Sequence, residues 1–310
     1  MNQTLKPVEL EYGRKFRNLL QTENMPELKV LRCGTYGSIQ DLGRTGYRDW
    51  GVPGSGVLDE QSAKTANLIC GNSENSGLLE LIGPGWEFEF DQDTLISIFG
   101  ADWHPEINHK RVRVQQNHVI KAGDILTMRY PGNGRIAYLG IAGGFQTEEV
   151  MQSRSWHPQI TESFILKKHM LLPYSEFVNS NFENDIFIKQ YSKDLSENGI
   201  RAVPGPEWNL LSPEAIMQLN ENEWTISNQS NRMAYFVEEK LIPVTGSILT
   251  SAVWPGIVQL TPSGQMMILM KDAQTTGGYP RILSISQNEL NKIAQKYPGE
   301  KFQLKLTAET

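Results

Sequence analysis

Lys271-Asp272-Ala273-Gln274-Thr275-Thr276-Gly277-Gly278-Tyr279-Pro280 lies between Gln265-Met266-Met267-Ile268-Leu269-Met270 and Arg281-Ile282-Leu283-Ser284-Ile285. Both flanks are short apolar runs of the kind that form strands, so the ten residues between them make a loop at a sheet edge or barrel rim. The loop holds a carboxylate, a carboxamide, two hydroxyls and two glycines. Gly277 and Gly278 permit positive φ and close approach of a ligand to the backbone N–H groups, while Gln274, Thr275 and Thr276 add donors and acceptors around one point. Such a loop suits a small polar carbonyl compound. A tight turn ended by proline is the plainer explanation of the same composition.

Strand signals extend outward from it in both directions. Trp86–Phe90, Arg111–Val114, Gly256–Leu260 and Phe302–Leu306 alternate apolar with polar residues, and Ile136–Ala142 reads as a strand buried on both faces. Helices are few. Asp59 caps one through Ala63, Ala66 and Ile69 that stops at Gly71, Ser212-Pro213 opens another through Ile216 and Leu219, and Ser286 with Glu289 forms a capping box before Leu290, Ile293 and Ala294. Many strands at short spacing with scattered helices predict a mainly β protein built from barrels. The polar stretch 179–198 is the best linker, dividing the chain into domains at 28–178 and 199–310, and residues 1–27 form a charged N-terminal extension in which Met25 is a possible natural start.

With 310 residues and a net charge of −6, the chain can bury a large core, and it lacks the dense Lys/Arg clusters that would neutralise a nucleic-acid backbone. The two cysteines, Cys33 and Cys70, are too few for a secreted disulfide framework. No apolar run has the length of a membrane span, so the cytoplasm is the expected location and no membrane partner is expected. No phosphate-binding Gly-x-x-x-x-Gly-Lys-Ser/Thr loop is present. The five histidines, 104, 109, 118, 157 and 169, read as ordinary surface or core residues, and no metal is expected. Leu269-Met270-Lys271-Asp272 is a poor biotinylation hairpin because Asp272 stands where a second methionine belongs, so no covalent cofactor is expected on Lys271.

Upstream, Gly34-Thr35-Tyr36-Gly37-Ser38-Ile39-Gln40-Asp41-Leu42-Gly43-Arg44 is followed by Gly51-Val52-Pro53-Gly54-Ser55-Gly56-Val57-Leu58-Asp59. Asp41, three residues from Arg44, can pair with it and pin the loop. Gly54 and Gly56 expose Ser55 beside helix N–H groups, although Asp59 as N-cap is a complete structural explanation of this turn. Arg232 can bind a carboxylate or serve as a rim salt bridge.

These segments, together with Ala66-Asn67-Leu68, Leu79-Glu80, Ala142-Gly143-Gly144, Pro204-Gly205-Pro206 and Asn231-Arg232-Met233, resemble the biotin-dependent carboxyltransferase family that also contains the 5-oxoprolinase C subunit, the KipI antagonist and the C-terminal parts of urea carboxylase. The resemblance runs from about residue 28 to 305. It implies two cyclophilin-like β-barrel domains and a small amide or ureido ligand. It further implies a KipI-like or 5-oxoprolinase B subunit as partner, with an A subunit beside it, and ATP used by the assembled complex. On this reading Asp272, Gln274, Thr275 and Thr276 are catalytic, directing donors at a carbonyl oxygen that gains negative charge. Gln40, Arg44, Ser55, Arg232, Gly277, Gly278 and Tyr279 bind substrate, with Arg232 or Arg44 on its carboxylate. Trp156, Phe164 and Ile165 are apolar rim residues suited to docking the partner.

The chain departs from the family pattern in two places. A glycine-rich run is expected after Met151–Trp156, yet His157–Leu172 has no glycine, and Arg232-Met233 is followed by Ala234-Tyr235-Phe236-Val237 where the family has Gly-x-Arg-Leu. Two functions follow. One is a component like the C subunit of an ATP-dependent 5-oxoprolinase, or of a related amide-processing hydrolase. The other is a non-catalytic regulatory module of the KipI-antagonist type or a carboxyltransferase-like binder of biotin or urea.

Overall fold

The computed structural model describes residues 25–176, 198–244 and 248–307. Most of the expected N-terminal extension and nearly all of the 179–198 segment lie outside the described residues. The chain is mostly β, and every sheet is built from strands of one half. In the first half a six-stranded sheet orders Leu171–Pro173, Glu27–Arg32, Trp86–Phe90, Ile125–Met128, Glu106–Ile107 and Lys110–Arg111. A five-stranded sheet orders Tyr36–Gln40, Leu78–Ile82, Asn133–Ile141, Thr94–Asp102 and Gln116–Ile120. The second half is a seven-stranded sheet, Glu223–Thr225, Lys301–Leu306, Gly199–Pro204, Arg281–Ser284, Ile257–Leu260, Gln265–Leu269 and Ala234–Lys240. A bridge between Ile226 and Val237 brings its two ends together, so the barrel is nearly closed.

The expected alternation of Trp86–Phe90 is realised. Trp86, Phe88 and Phe90 are buried, the first two with rings stacked 5.9 Å apart, while Glu89 and Glu87 face Lys29 and Arg129. Burying each aromatic contributes roughly 2–3 kcal/mol, so this strand anchors the first-half core. A second apolar cluster crosses between the halves. It joins Phe99, Ile136 and Tyr138 to Ile200, Leu260 and Leu290 around helix α1, Glu60–Ile69. Gln295 fastens the same junction, its amide donating to Asp59 Oδ2 at 2.8 Å and to the Ile136 carbonyl at 3.0 Å, and its oxygen accepting from the Arg135 and Ile136 amides. The Arg135 guanidinium lies 5.0 Å over the Tyr235 ring.

Two caps form as the sequence predicts. Asp59 accepts from the Ser62 amide at 3.2 Å to start α1, and Ser212 accepts from the Ala215 amide at 3.2 Å to start α2, Pro213–Glu221. The third differs. Helix α3, Gln287–Ala294, begins after Ser286, but Ser286 makes no side-chain cap, and the buried Glu289 carboxylate accepts from the Arg201 backbone and Nε at 3.2 and 2.9 Å. A guanidinium offers Glu289 a stronger partner than a helix N–H. The expected 111–114 strand is confined to Lys110–Arg111: Val112 still donates to the Pro105 carbonyl in register with it, but proline has no N–H to return, and the ladder ends there. Ile257–Leu260 is a strand but is buried at every position, since neighbouring strands and loops cover both faces.

Candidate functional site

Arg232 sits where the two halves meet. Its Nε donates to Asp272 Oδ2 at 2.8 Å and one Nη2 bond reaches Oδ1 at 3.1 Å, a bidentate grip; Nη1 donates to Glu80, and Nη2 also reaches the Gly56 carbonyl at 2.6 Å and Gln40 Oε1 at 3.3 Å. Glu80, Gln40 and Gly56 come from the first half; Arg232 and Asp272 come from the second. Burial opposes the charge on Arg232, but Asp272 and Glu80 outweigh it and hold the guanidinium above its ordinary pKa. Burial likewise pushes the Glu80 carboxyl up, partly offset by Arg232, the Leu58 amide and the Tyr138 hydroxyl. The Glu80 side chain accepts from Leu58 N at 2.6 Å and Tyr138 Oη at 2.8 Å, so it is held as an acceptor on every side. Lys271 adds a second tie between the halves, its ammonium 2.6 Å from Glu60 on α1.

Above Arg232 opens a cleft of about 720 Å³. Asp272, Gln274, Thr275 and Thr276 all line it, as the loop composition suggested, and Arg232 forms part of its floor. Among the described residues Arg232 is its only lining Lys or Arg, and that side chain is already committed to two carboxylates. Arg232 thus offers the cleft no free guanidinium fork, and its bidentate bond fixes the orientation of the Asp272 carboxylate.

The glycines of this loop act differently from expectation. Neither Gly277 nor Gly278 has positive φ. Thr276–Gly277 pairs as a short antiparallel ladder with Ser251–Ala252, and the Thr275 carbonyl accepts from Val253 N, so the loop backbone is engaged by its neighbour strand. Gly277 is needed for proximity: a Cβ there would lie 2.6 Å from Gln259 Nε2, the amide that donates to Tyr279 O at 3.2 Å, while Gln259 Oε1 accepts from Gln274 at 3.4 Å. Gly278 has room for a Cβ, with nothing nearer than 3.9 Å. Tyr279 is exposed on the rim. Gly277, Gly278 and Tyr279 do not line the cleft.

Gln40, Arg44 and Ser55 do not line it either, and all three are buried. Gln40 donates to Ser38 and to the Trp156 carbonyl at 2.9 and 3.1 Å, and accepts from Gly56 N at 3.2 Å. The anticipated Asp41–Arg44 pairing takes another form, in which both residues hold the 150–155 segment. Asp41 accepts from the Ser153 and Ser155 hydroxyls and the Arg154 amide at 2.7, 2.5 and 2.6 Å, whereas Arg44 donates to the Val150 carbonyl at 3.2 Å and to the Ser155 carbonyl. Ser55 adopts φ 57° and is fixed through its amide to the Lys271 carbonyl at 3.1 Å.

That clamped segment delivers His157, Pro158 and Gln159 to the cleft, which Tyr36, Asn231 and Met233 also line. The sequence led us to expect in His157 an ordinary surface or core histidine, and no site role for it was anticipated. The glycine-free run that begins at this residue was the local sequence signal at this wall. Burial lowers the His157 pKa below the ordinary value; Asp272 opposes this, and Arg44 and Arg232 reinforce it. Trp156, expected on the rim, is buried in the first-half core, while Phe164 is partly exposed. The prominent exposed apolar side chains near the site are instead Trp50, Trp254 and Tyr279.

The carboxyltransferase domain, subdomain A and B, matches residues 50–306. The chain is 34% identical over 274 residues to the C subunit of 5-oxoprolinase from Escherichia coli, covering 86% of this chain and 87% of that protein. It is 25% identical to urea amidolyase of Lachancea kluyveri, covering 89% of this chain but only 16% of the relative. Among solved structures, the Kluyveromyces lactis urea carboxylase superposes with a TM-score of 0.80 at 25% identity, over 96% of this chain and 29% of that one. The crystal structure of TTHA0988 superposes at 0.82 with 23% identity, over 92% of this chain and 56% of that one, and shares the fold.

Proposed function

The chain belongs to the carboxyltransferase-domain family, subdomains A and B, and from that premise we propose that it acts as the C-type component of an ATP-dependent 5-oxoprolinase, or of a related hydrolase of amide or ureido compounds. The observation that carries this reading is Asp272, locked by Arg232 yet open to a cleft lined by Gln274, Thr275, Thr276, Tyr36, Asn231 and His157. A carboxylate whose one edge is fixed by a buried guanidinium keeps its remaining lone pairs aimed at a ligand. The amide and hydroxyl donors around it suit a carbonyl oxygen that gains negative charge as the amide is activated. The carboxylate of 5-oxoproline would rest on these neutral donors, since the cleft's guanidinium is already engaged.

ATP enters through the partners: a KipI-like B subunit, with an A subunit beside it, makes up the rest of the cytoplasmic assembly. Trp50, Trp254 and Tyr279, exposed on segments that border the cleft, are the aromatic anchors for that docking. Among the described residues no helix is long and apolar enough to cross a membrane.

The test is reconstitution. The chain alone should show no ATPase and no conversion of 5-oxoproline to glutamate, whereas the chain mixed with its B and A partners should co-elute and hydrolyse 5-oxoproline with ATP; turnover by the chain alone, or none by the assembled complex, contradicts the reading. A second reading, a non-catalytic KipI-antagonist-like regulator, is favoured by Phe236, which stands where the motif that the sequence resembles carries an arginine, and which packs with Met267 on the Ala234, Val253 and Ala273 cluster behind the loop. Complex formation without turnover would support that second reading.

A further inference from the structure

His157 is held unusually firmly for a residue on a cleft wall. Its amide donates to Thr161 Oγ1 at 2.9 Å, and its carbonyl accepts from the Ile160 and Thr161 amides at 3.1 Å. The Gln159 amide donates to the ring at Nδ1 over 3.2 Å. A backbone N–H can only donate, so Nδ1 must present a lone pair, and in the neutral ring the proton then resides on Nε2. His157 lines the same cleft as Asp272, whose carboxylate oxygens accept hydrogen bonds.

We propose that His157 is a substrate-positioning residue, and that its Nε2–H together with the Asp272 carboxylate forms a donor–acceptor pair that recognises the edge of a cis amide. In a lactam or a cyclic urea the N–H and the C=O point to the same side of the ring. Asp272 takes the N–H and His157 donates to the oxygen. An open-chain secondary amide, which is trans, places those two groups on opposite sides and can satisfy only one of them. The charged groups whose fields act on the imidazole are Asp272, Arg44 and Arg232. Protonation at Nδ1 would set two donors against each other at Gln159 and open the turn, so the recognising state is the neutral ring. This assignment rests on the amide-binding reading given above and adds to it the residue that reads ring geometry.

The test uses the full chain and two probes, 5-oxoproline and the uncharged cyclic urea imidazolidin-2-one, with N-methylacetamide as the trans control. Nitrogen-15 NMR of the ligand-free chain should show His157 as the Nε2–H tautomer, and an Nδ1–H tautomer overturns the proposal whatever binds. Cyclic probes should shift the Nε2 resonance and bind more tightly than N-methylacetamide. His157→Phe should weaken cyclic-probe binding about 2- to 10-fold, the range of one net hydrogen bond, and abolish the preference for cyclic over trans amides. His157→Gln, which keeps a side-chain N–H, should restore part of it. Cyclic probes that bind the parent and His157→Phe equally, with the Nε2 signal unmoved, overturn the role of His157 while leaving amide binding intact. Failure of every probe to bind the parent overturns both.

Discussion

The 36–59 segment and the 271–280 loop carry the same residue types, glycines beside glutamine, serine or threonine, and an aspartate, but they do different work. In the first, Gln40, Asp41 and Arg44 bond to other parts of the protein and lie below the surface. In the second, Asp272 is gripped on one edge only, and Gln274, Thr275 and Thr276 remain at the cleft. Residue type therefore does not separate a frame from a site. What separates them is whether the polar atoms are enclosed by the protein or open to the cleft: in the first segment even Arg44 Nη1 and the Ser55 hydroxyl, which have no hydrogen-bond partner among the described residues, are buried.

The largest effect should come from the joint between the two segments. Arg232→Met should cost about 3–5 kcal/mol of stability, because it leaves Glu80 buried without its cation and frees Asp272; urea denaturation would measure it. A loss under about 1 kcal/mol would mean the junction is not a structural joint.

Next come the two glycines, which sharpen the distinction inside the loop. Gly277→Val should cost roughly 1–3 kcal/mol by driving a side chain into the Gln259 amide. Gly278→Ala should stay within about 0.5 kcal/mol, since its site is open and its φ is not positive. Equal costs at the two positions, read by thermal melts, would break this account of the loop.

Thr275→Ala should weaken cyclic-amide binding by about 0.5–1.5 kcal/mol with stability unchanged, as calorimetry can show. The frame residue Gln40 provides the contrast: Gln40→Ala should lower stability by about 1–3 kcal/mol, because it strips the Trp156 carbonyl and the Gly56 amide of a buried partner.

The smallest effect concerns pH. The His157 pKa in the folded chain lies below its ordinary 6.5, so the unfolded chain takes up that proton first. Stability from this group is full above 6.5 and is lost as pH falls through the lowered value. His157→Phe should flatten the part of the stability profile that falls away as pH drops below 6.5. An unchanged slope would contradict the burial of a neutral ring beside Asp272, Arg44 and Arg232.

Much of this was legible in the chain. Strand alternation at Trp86–Phe90 and 301–306, the Asp59 and Ser212 caps, and the four polar residues of the 272–276 segment can be read because each depends on neighbours close in sequence. The family membership was equally readable from the Gly-Val-Pro, Asn-Arg-Met and Gln-Thr-Thr-Gly-Gly-Tyr-Pro stretches. Long-range pairing was not. Nothing local shows that Arg232 would be shared between Glu80 and Asp272, that Glu289 would leave its cap for Arg201, or that Gly277 is small because Gln259 needs the space. His157 was missed for a related reason: its chemistry is set by Gln159 on one side and by Asp272, far away in the chain, on the other.

The central claim is that the cleft at Asp272 is where a cyclic amide binds. Isothermal titration of 5-oxoproline into the parent chain and into Asp272→Asn measures it most directly, with a thermal melt confirming that the variant is folded. The account predicts saturable binding to the parent and at least about a 10-fold loss in the folded variant, the worth of one hydrogen bond to a charged group. Equal affinity in a folded Asp272→Asn chain would contradict it and move the site elsewhere.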